Sequence, residues 1–290
     1  MRKIINDDII QDDDGEYGDI SIQLSELALT NLPDFLSDVE LTGTFACYGN
    51  YLTSLINSPK SVKGGFLCNK NQLTSLKGGP AFMSGNVFDC CDNQITSLEG
   101  MPSSDPSYAM TRLDATFFCA GNLLTDLQGC PEIINGDFDC TRNQLTSLKG
   151  SPVTVSHSFR IGGNPLTSLT GGPKSVLDYN CNSTLITNLK GCPEDVRGSF
   201  YCHHNPLLKN LIGSPETIGG NFECTRMDLT SLEGIPKVIG TNPNRYLGIS
   251  GSFFLDVTLK ERFPEEYIRS LSDIKGQVIY RNIPDPHHHH

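Results

Sequence analysis

One pattern of about 21 residues is repeated ten times along this chain. In one-letter code the pattern is F-x-C-x-x-N-x-L-T-S-L-x-G-x-P, and it is complete from Phe66 to Pro80. A fixed period of roughly 20 to 50 residues is typical of repeat proteins, whose units bury their apolar side chains only by stacking on one another. The repeat therefore accounts for most apolar residues before any function is considered.

Each repeat begins with a segment that predicts a short β-strand. In Phe66-Leu67-Cys68, as in most copies, the first residue is aromatic and the third is Cys, whereas the middle residue varies. Because side chains alternate along a strand, we expect the aromatic and the Cys to point inward and the middle residue outward. Three residues after the Cys, seven of nine repeats carry Asn. Its amide can satisfy backbone groups where the chain leaves the strand.

The chain contains 11 cysteines, which by number alone would suggest a disulfide-rich protein. Eight of them recur at one position of the repeat, and Ile161 takes that position in another copy. A position that accepts Cys or Ile requires a small buried apolar side chain. Parallel side chains of stacked strands rarely have the geometry of a disulfide. We therefore expect free thiols in the core and a reducing, cytoplasmic location.

The repeat resembles that of leucine-rich-repeat proteins, L-x-x-L-x-L-x-x-N-x-L, with Phe as the second Leu, Cys as the third and Asn in its own place. The segment from Val176 to Cys181 fits this motif directly, whereas most other copies have one extra residue before the aromatic. The resemblance implies a mainly β solenoid of about ten rungs, with short parallel strands on the concave face and an irregular convex side. The short repeat is similar to those of bacterial effectors and of tailed phages. The family binds proteins through the concave face.

The repeats divide the chain into a solenoid at residues 29–251, an N-terminal cap at 1–28, a C-terminal cap at 252–286 and a histidine purification tag at 287–290. In the caps we expect an edge strand over 19–24, short helical turns over 259–270 and a strand over 277–280. Two repeats are interrupted, by about eight residues near 103–112 and by a smaller insertion at 241–245, so that we expect the strand of the tenth repeat at 247–249. Insertions in repeat arrays emerge as loops and often shape a binding surface.

The chain carries 22 basic and 33 acidic residues, a formal net charge of −11. An acidic chain lacks the basic surface that nucleic acids and anionic membranes require. We find no signal peptide and no apolar run as long as a membrane span. The composition favours a monomer with a protein partner in the cytoplasm, which would be the host-cell cytoplasm for a phage or effector product.

Catalysis, cofactors and metals have little support in the sequence. The acidic run at 12–16 lacks the ligand spacing of a calcium loop, and Cys91, Cys130 and Cys192 lack partners of zinc-site spacing. Adjacent His203 and His204 could bind metal or respond to pH, although an outward residue beside a turn is the simpler interpretation. We find no phosphate-binding loop and no nucleophile motif. We therefore predict no catalytic, cofactor-binding or metal-binding residues.

The outward positions of the strands change from repeat to repeat, while the inward positions stay constant. Aromatic residues such as Phe118 and Tyr201 interrupt a largely acidic set, and such residues dominate interface energetics. The candidate protein-binding residues are Leu67, Asp89, Phe118, Asp137, Asp139, Arg160, Tyr201, His203 and Glu223, with Tyr108 on the inserted loop. The sequence predicts a non-catalytic module that captures or inhibits a partner protein. Three alternatives remain: an ordinary solvated surface, an assembly component of a larger particle, or a metal protein or enzyme.

Overall fold

The computed structural model describes residues 21–104, 107 and 111–282. Its elements are almost all short parallel β-strands, so the predicted mainly β solenoid is confirmed. The chain divides into two compact units. Unit 1 comprises residues up to Leu145 together with Lys149–Ser156, and unit 2 comprises Thr146–Leu148 together with the residues from His157 onward.

Unit 1 contains twelve described strands of two or three residues each. They are β1 (Ile22–Gln23), β2 (Glu40–Leu41), β3 (Phe45–Ala46), β4 (Ser61–Val62), β5 (Phe66–Leu67), β6 (Phe82–Met83), β7 (Val87–Asp89), β8 (Arg112–Leu113), β9 (Thr116–Phe118), β10 (Ile133–Ile134), β11 (Phe138–Asp139) and β12 (Thr154–Val155). A 3₁₀ helix spans Asp34–Asp38.

Unit 2 contains ten described strands. They are β13 (Ser158–Arg160), β14 (Asp178–Asn180), β15 (Asp195–Val196), β16 (Phe200–Tyr201), β17 (Thr217–Ile218), β18 (Phe222–Cys224), β19 (Val238–Ile239), β20 (Phe253–Asp256), β21 (Asp273–Ile274) and β22 (Val278–Arg281). Two 3₁₀ helices span Arg245–Leu247 and Val257–Leu259, and the helix α1 spans Glu265–Leu271.

Each unit has one main sheet, in which successive rungs contribute parallel strands. The order is β1-β3-β5-β7-β9-β11 in unit 1 and β13-β14-β16-β18-β20-β22 in unit 2. Smaller parallel sheets run along the return path of the rungs: β2-β4-β6 and β8-β10-β12 in unit 1, and β15-β17-β19-β21 in unit 2. The solenoid therefore has about twelve rungs, six in each unit, because β1 and β22 extend the sheets beyond the ten repeats.

On the inward face of each main sheet, the aromatic rings of neighbouring rungs stack on one another. Ring centroids of neighbouring rungs lie 5.0 Å apart for Phe66 and Phe88 and 5.1 Å apart for Tyr179 and Phe200. Offset stacking at this distance stabilises each pair by about 1 kcal/mol beyond the burial of area. All eight repeat cysteines are fully buried beside the rings: Cys47, Cys68, Cys90, Cys119, Cys140, Cys181, Cys202 and Cys224. Along the chain all 11 cysteines are free thiols.

The recurring asparagines form a second buried ladder, which binds backbone. Asn93 is representative: its Oδ1 accepts from the backbone N–H of Leu73 at 3.0 Å, and its Nδ2 donates to the carbonyls of Cys68 and Cys90, both at 3.1 Å. A single amide thus joins three backbone groups from two rungs. Where the sequence has Met227 instead of Asn, a carboxylate of the next rung, Asp256, accepts from the Met227 N–H at 3.2 Å.

The structure corrects the position of the tenth repeat. The sequence placed a strand at 247–249, but Phe253–Asp256 is the segment that pairs with β18, and Phe222 lies opposite Phe253. Residues 245–247 instead form a 3₁₀ helix in a loop, with Tyr246 fully exposed. Tyr246, Leu247 and Ile249 flank Gly248 and match the apolar pattern of a repeat strand. Because the Tyr246 ring is fully exposed, however, it cannot continue the stack of buried rings.

Some predictions fall outside the described residues: most of the N-terminal cap, the tag, and Tyr108 in the first insertion. The boundaries of the caps and of the repeat region stay a prediction, although β1, β20 and β22 pair with the main sheets beyond residues 29–251. Among the described helices, none has the length and apolar character needed to cross a membrane.

Candidate functional site

We define the strand face of each unit as the surface formed by side chains that point outward from its main sheet. In unit 1, Leu67, Asp89, Phe118 and Asp139 lie on consecutive strands, and the register pairs each with the next. All four side chains are half-buried. Four predicted site residues of unit 1 therefore form one continuous row, in which two apolar side chains alternate with two carboxylates.

The carboxylates of this row are held by local hydrogen bonds. Oδ1 of Asp89 and Oδ1 of Asp139 each accept from the backbone N–H two residues further on, at 2.9 and 3.0 Å. Asn180 makes the equivalent contact in unit 2, at 3.1 Å. A side chain fixed in this way loses little rotamer freedom when a partner binds to it, which lowers the entropic cost of association.

Cys91 lies beside this row and is half-buried. Burial, followed by the negative charge of Asp89, raises the pKa of the Cys91 thiol to about 12. The thiolate is the nucleophilic form of cysteine, so this thiol is almost entirely in its unreactive form near neutral pH. The only partly exposed cysteine of the strand face is therefore unsuited to nucleophilic catalysis.

A further ladder runs along the residues that immediately precede the aromatic of each rung. In unit 2, Oδ1 of Asp178 accepts from the backbone N–H of Ser199 at 2.6 Å, and Oγ of Ser199 accepts from that of Asn221 at 3.0 Å. Oδ1 of Asn221 continues the series to Ser252, also at 3.0 Å. These side chains close the open turn that precedes each strand.

The candidate Asp137 belongs to this ladder rather than to the central row of unit 1. Its backbone N–H donates to Oγ1 of Thr116 at 3.2 Å, and its side chain is half-buried. Asp137 thus lies at the edge of the row, one residue before the buried Phe138. A signal for the ladder was present in the sequence, because Ser, Thr, Asn and Asp fill most of these positions, and all four side chains can accept from backbone.

The strand face of unit 2 carries a different row. Arg160, Asn180, Tyr201 and Glu223 lie on consecutive strands in register, and all four side chains are half-buried. The row continues into Phe254 on β20 and Ile279 on β22. The repeat pattern predicts neither residue for this row, because it places the strand of the tenth repeat six positions too early and because Ile279 lies beyond the ten repeats.

Glu223 is neutralised by a residue that the sequence analysis did not consider. Arg281, at the end of β22, places Nη1 2.5 Å from Oε1 of Glu223, and its guanidinium lies 4.4 Å from the ring centroid of Phe254. The Glu223 side chain is only 16% exposed. The two residues are 58 positions apart, so no local sequence pattern predicts the ion pair. Unit 2 is therefore less acidic on its strand face than the sequence analysis expected.

Two histidines continue the surface next to Tyr201. The ring of His203 meets that of Tyr201 edge to face at 6.5 Å, and Nε2 of His204 lies 2.9 Å from Nη1 of Arg226. Burial lowers the pKa of His203, against a smaller raising effect of Glu223. The Nδ1 atom of His203 is buried with no hydrogen-bond partner. His203 is therefore held mainly as a neutral ring that packs against Tyr201.

The histidine pair does not form a metal centre with neighbouring side chains. Throughout the part of the chain that the structure describes, no three His, Cys, Asp or Glu side chains are grouped so that they could hold a metal ion. The predicted site residues thus fall into two groups. Leu67, Asp89, Phe118, Asp137 and Asp139 lie on unit 1, whereas Arg160, Tyr201, His203 and Glu223 lie on unit 2.

Unit 2 also contains a groove of about 670 Å³ away from its strand face. It lies between the short repeat around Val176 and the following rung, at the first strand of the smaller sheet, β15. Lys174, Arg197 and Cys192 contribute to its lining. The Cys192 thiol donates to the carbonyl of Gly213 at 3.1 Å, and burial raises its pKa to about 12. The groove thus offers no reactive thiol.

Comparison with known proteins gives no family assignment. No protein-family model matches the chain, and no curated protein matches it significantly. Among solved structures, the chain is similar to YopM from Yersinia enterocolitica WA-314, with 17% sequence identity and a TM-score of 0.25. The match covers 81% of this chain, which spans 65% of the length of that structure.

Proposed function

We propose that this chain is a non-catalytic protein-binding module that captures or inhibits a partner protein through its strand face. One observation carries the proposal: in the outward row of unit 1, Leu67 and Phe118 alternate with Asp89 and Asp139 on a rigid stack of strands. Apolar side chains beside oriented charges are the composition of a protein interface with a few dominant contacts.

The charge of this row specifies the chemistry of the partner. The main-sheet strands of unit 1 carry Asp89 and Asp139 and contain no Lys or Arg. The whole chain has a formal net charge of −11. Complementary charges accelerate association and select against wrong partners. The partner surface should therefore be basic, with an apolar side chain that packs against Phe118.

The strand face of unit 2 contributes a second contact of different character. Tyr201 supplies a large, half-buried ring, and Arg160 lies two strands away on the same row. Burial raises the pKa of Tyr201, so its hydroxyl stays protonated and can donate a hydrogen bond to a partner. We therefore assign Arg160 and Tyr201 of this row to partner binding, at the centre of the strand face, and place Glu223 and its partner Arg281 at the rim.

The finer parts of the proposal come from the resemblance described above. On this basis we assign the repeats to the leucine-rich-repeat type and group the chain with short-repeat bacterial effectors or tailed-phage products. We also assign it a host protein in the cytoplasm as partner. The finer parts also include the cap at 1–28, the repeat region at 29–251 and the cap at 252–286. We propose no enzymatic activity for this surface, since its cysteine is protonated and its histidine is packed against an aromatic ring.

The experiment is a tag pull-down from lysate of the source cell, read by mass spectrometry, with Phe118→Ala and Tyr201→Ala as separate variants. A matched control is Tyr51→Ala, which removes an aromatic ring that is 56% exposed but lies outside the strand face. We expect one stoichiometric basic protein that is retained by wild type and by the control. Phe118→Ala should reduce its capture at least tenfold, and raising the salt concentration should weaken it further.

Two outcomes would contradict the proposal. Equal capture by wild type and by both variants would show that the partner binds elsewhere. A wild-type chain that captures no protein and instead sediments as a large homo-oligomer would support the alternative role as an assembly component. Circular dichroism of each variant separates loss of binding from loss of folding, because the substituted side chains project outward.

A further inference from the structure

A ten-residue loop of unit 2, residues 241–250, leaves the solenoid and returns to the same point. The aromatics Phe222 and Phe253 occupy neighbouring rungs although they are 31 residues apart, whereas Phe117 and Phe138 in unit 1 are 21 apart. The difference between these two spacings equals the length of the loop. The loop therefore adds to the array without replacing any part of a rung.

The stem of this loop is closed by two glycines in contact. Gly240 and Gly251 both have positive φ, at 94° and 70°. A Cβ atom on Gly251 would lie 2.6 Å from Cα of Gly240, and one on Gly240 would lie 2.6 Å from the carbonyl oxygen of Gly251. The two Cα atoms are thus separated by little more than the ~3.8 Å between consecutive residues. Only glycine permits this approach.

The tip of the loop is held by its own hydrogen bonds. Asn244 and Ile249 exchange two backbone hydrogen bonds, both 2.8 Å long. The side chain of Asn244 accepts from the backbone N–H of Tyr246 at 3.1 Å, which starts the 3₁₀ helix Arg245–Leu247. Gly248 ends that helix with a φ of 70°. The base of the loop is bonded to the array, since the backbone N–H of Asn242 donates to the carbonyl of Gly219 at 2.8 Å. The tip, residues 244–249, has a defined conformation that its own hydrogen bonds maintain.

This defined conformation presents apolar side chains to solvent. Tyr246 is fully exposed and Leu247 is 73% exposed. Neither side chain supports the array, because the rung itself continues directly from Gly240 to Gly251. The loop contains one charged residue, Arg245, and no acid, in a chain whose formal net charge is −11. Exposed Tyr, Leu and Arg on a preorganised loop have a low entropic cost of binding.

We propose that this loop is a second interaction surface, which inserts Tyr246 and Leu247 into an apolar pocket of a folded partner protein. Arg245 precedes the two apolar residues, so the rim of that pocket carries an Asp or Glu that pairs with the guanidinium. The partner surface therefore has the opposite charge from the basic surface that we propose for the strand face of unit 1. The two surfaces can be inactivated separately.

The test places the photo-crosslinking residue p-benzoylphenylalanine at position 246 of the full chain and irradiates it in lysate of the source cell. The control places the same residue at position 267, because Tyr267 is 45% exposed and lies on α1. Mass spectrometry identifies the crosslinked peptide. We expect an adduct at 246 at least tenfold stronger than at 267, with a peptide that lines an apolar pocket bordered by an Asp or Glu. Arg245→Glu should reduce this adduct at least tenfold, and Phe118→Ala should leave it unchanged.

A deletion of residues 241–250 that joins Gly240 to Gly251 provides the second variant. Because the stem glycines are already adjacent and, among the described residues, only Asn242 and Ser250 bond the base of the loop to the array, the shortened chain should unfold at a urea midpoint close to that of wild type and fail to capture the crosslinked partner. The proposal is overturned if the yield at 246 does not exceed that at 267, or if Arg245→Glu leaves the yield unchanged. It is also overturned if the adduct lies on a basic surface, on a second copy of this chain or on lipid.

Discussion

At the scale of single residues, the asparagine ladder is the main polar support of the array. Within each unit its members are buried and bind the backbone of their own rung and of a neighbour, as Asn93 does with Leu73, Cys68 and Cys90. Backbone groups left without partners inside a protein each cost roughly 1–3 kcal/mol. The ladder therefore connects the rungs, in addition to filling a corner of each one.

Replacing Asn93 with Ala should destabilise unit 1 by about 3 kcal/mol, because three backbone groups would lose their partner and could not reach water. The neighbouring Gln94→Ala is the matched control, since the Gln94 side chain is exposed. Urea denaturation followed by circular dichroism measures the difference. Equal midpoints for the two variants would show that the ladder contributes little to stability.

A second residue-scale prediction concerns pH. Burial holds the pKa of His203 below its ordinary value, so the folded state favours the neutral ring. As pH falls through the usual histidine range near 6.5, the unfolded chain binds a proton that the folded chain binds only at lower pH. The stability that His203 contributes is therefore complete above that range and is lost as pH falls toward the lowered pKa.

The measurement is the urea midpoint between pH 7.5 and 5 for wild type, His203→Gln and the control His157→Gln, whose side chain is exposed. Wild type and control should lose stability over this window by similar amounts. His203→Gln should lose less. A slope that is the same in all three proteins would contradict the role assigned to His203. Glu223, His204, Arg226 and Arg281 surround this ring and stay in place in each variant.

At the scale of elements, the corners of the rungs depend on glycine for two separable reasons. Gly150 has a φ of 84°, and a Cβ at this position would lie 2.5 Å from Cα of Gln128 in the preceding rung. Gly85 has a φ of 75°, but a Cβ there would have no neighbour within 4 Å. Glycine is required at Gly150 both by the positive φ and by the close approach of the preceding rung. At Gly85 it is favoured by the positive φ alone.

This pair of glycines gives an element-scale prediction. Gly85→Ala should cost about 1 kcal/mol, the conformational penalty of a left-handed alanine. Gly150→Ala should cost at least about 3 kcal/mol, because the backbone of the preceding rung must also move. Both residues belong to unit 1, so one denaturation probe reports on both. If the two variants were equally stable, contact between rungs would not limit the residue at this corner.

At the scale of the whole molecule, the buried cysteines of both units can report on where the chain unfolds, because a thiol becomes reactive once its rung opens. Cys47, Cys68 and Cys90 are fully buried in unit 1, and Cys181 and Cys202 are fully buried in unit 2. Burial raises the pKa of Cys68 and Cys181 well above the ordinary value, so the reactive thiolate is suppressed in the folded state. The stability of a repeat array is a sum of terms between neighbours, so opening should differ along the chain.

Alkylation in native buffer should therefore modify the eight core thiols only slowly, while denaturant exposes all 11 cysteines. Pulse alkylation at rising urea, resolved by peptide mass spectrometry, should show the central thiols of each unit protected to higher urea than those near its ends. Simultaneous modification of every thiol at one urea concentration would instead indicate that the chain unfolds in a single cooperative step. Rapid labelling of Cys68 in native buffer would contradict the buried ladder.

Much of this organisation was determined by the sequence alone. A period of about 21 residues, with an aromatic, a Cys and an Asn at constant spacing, predicts stacked rungs because each rung must satisfy the same contacts as its neighbours. Leu67, Asp89, Phe118 and Asp139 could be placed outward for the same reason. In an in-phase parallel stack, the residue between two inward positions always points away from the core.

The tertiary structure decided the features that break the repeat. The strand of the tenth repeat begins at Phe253 rather than near Leu247, because whether an aromatic joins the stack depends on where the chain returns after a loop. Arg281 pairs with Glu223 across 58 residues, and this contact exists only once β22 has been placed beside β20. Local pattern determines what every rung shares. Loop closure and contacts distant in sequence determine where the rungs differ, since those energies depend on which segments the fold brings together.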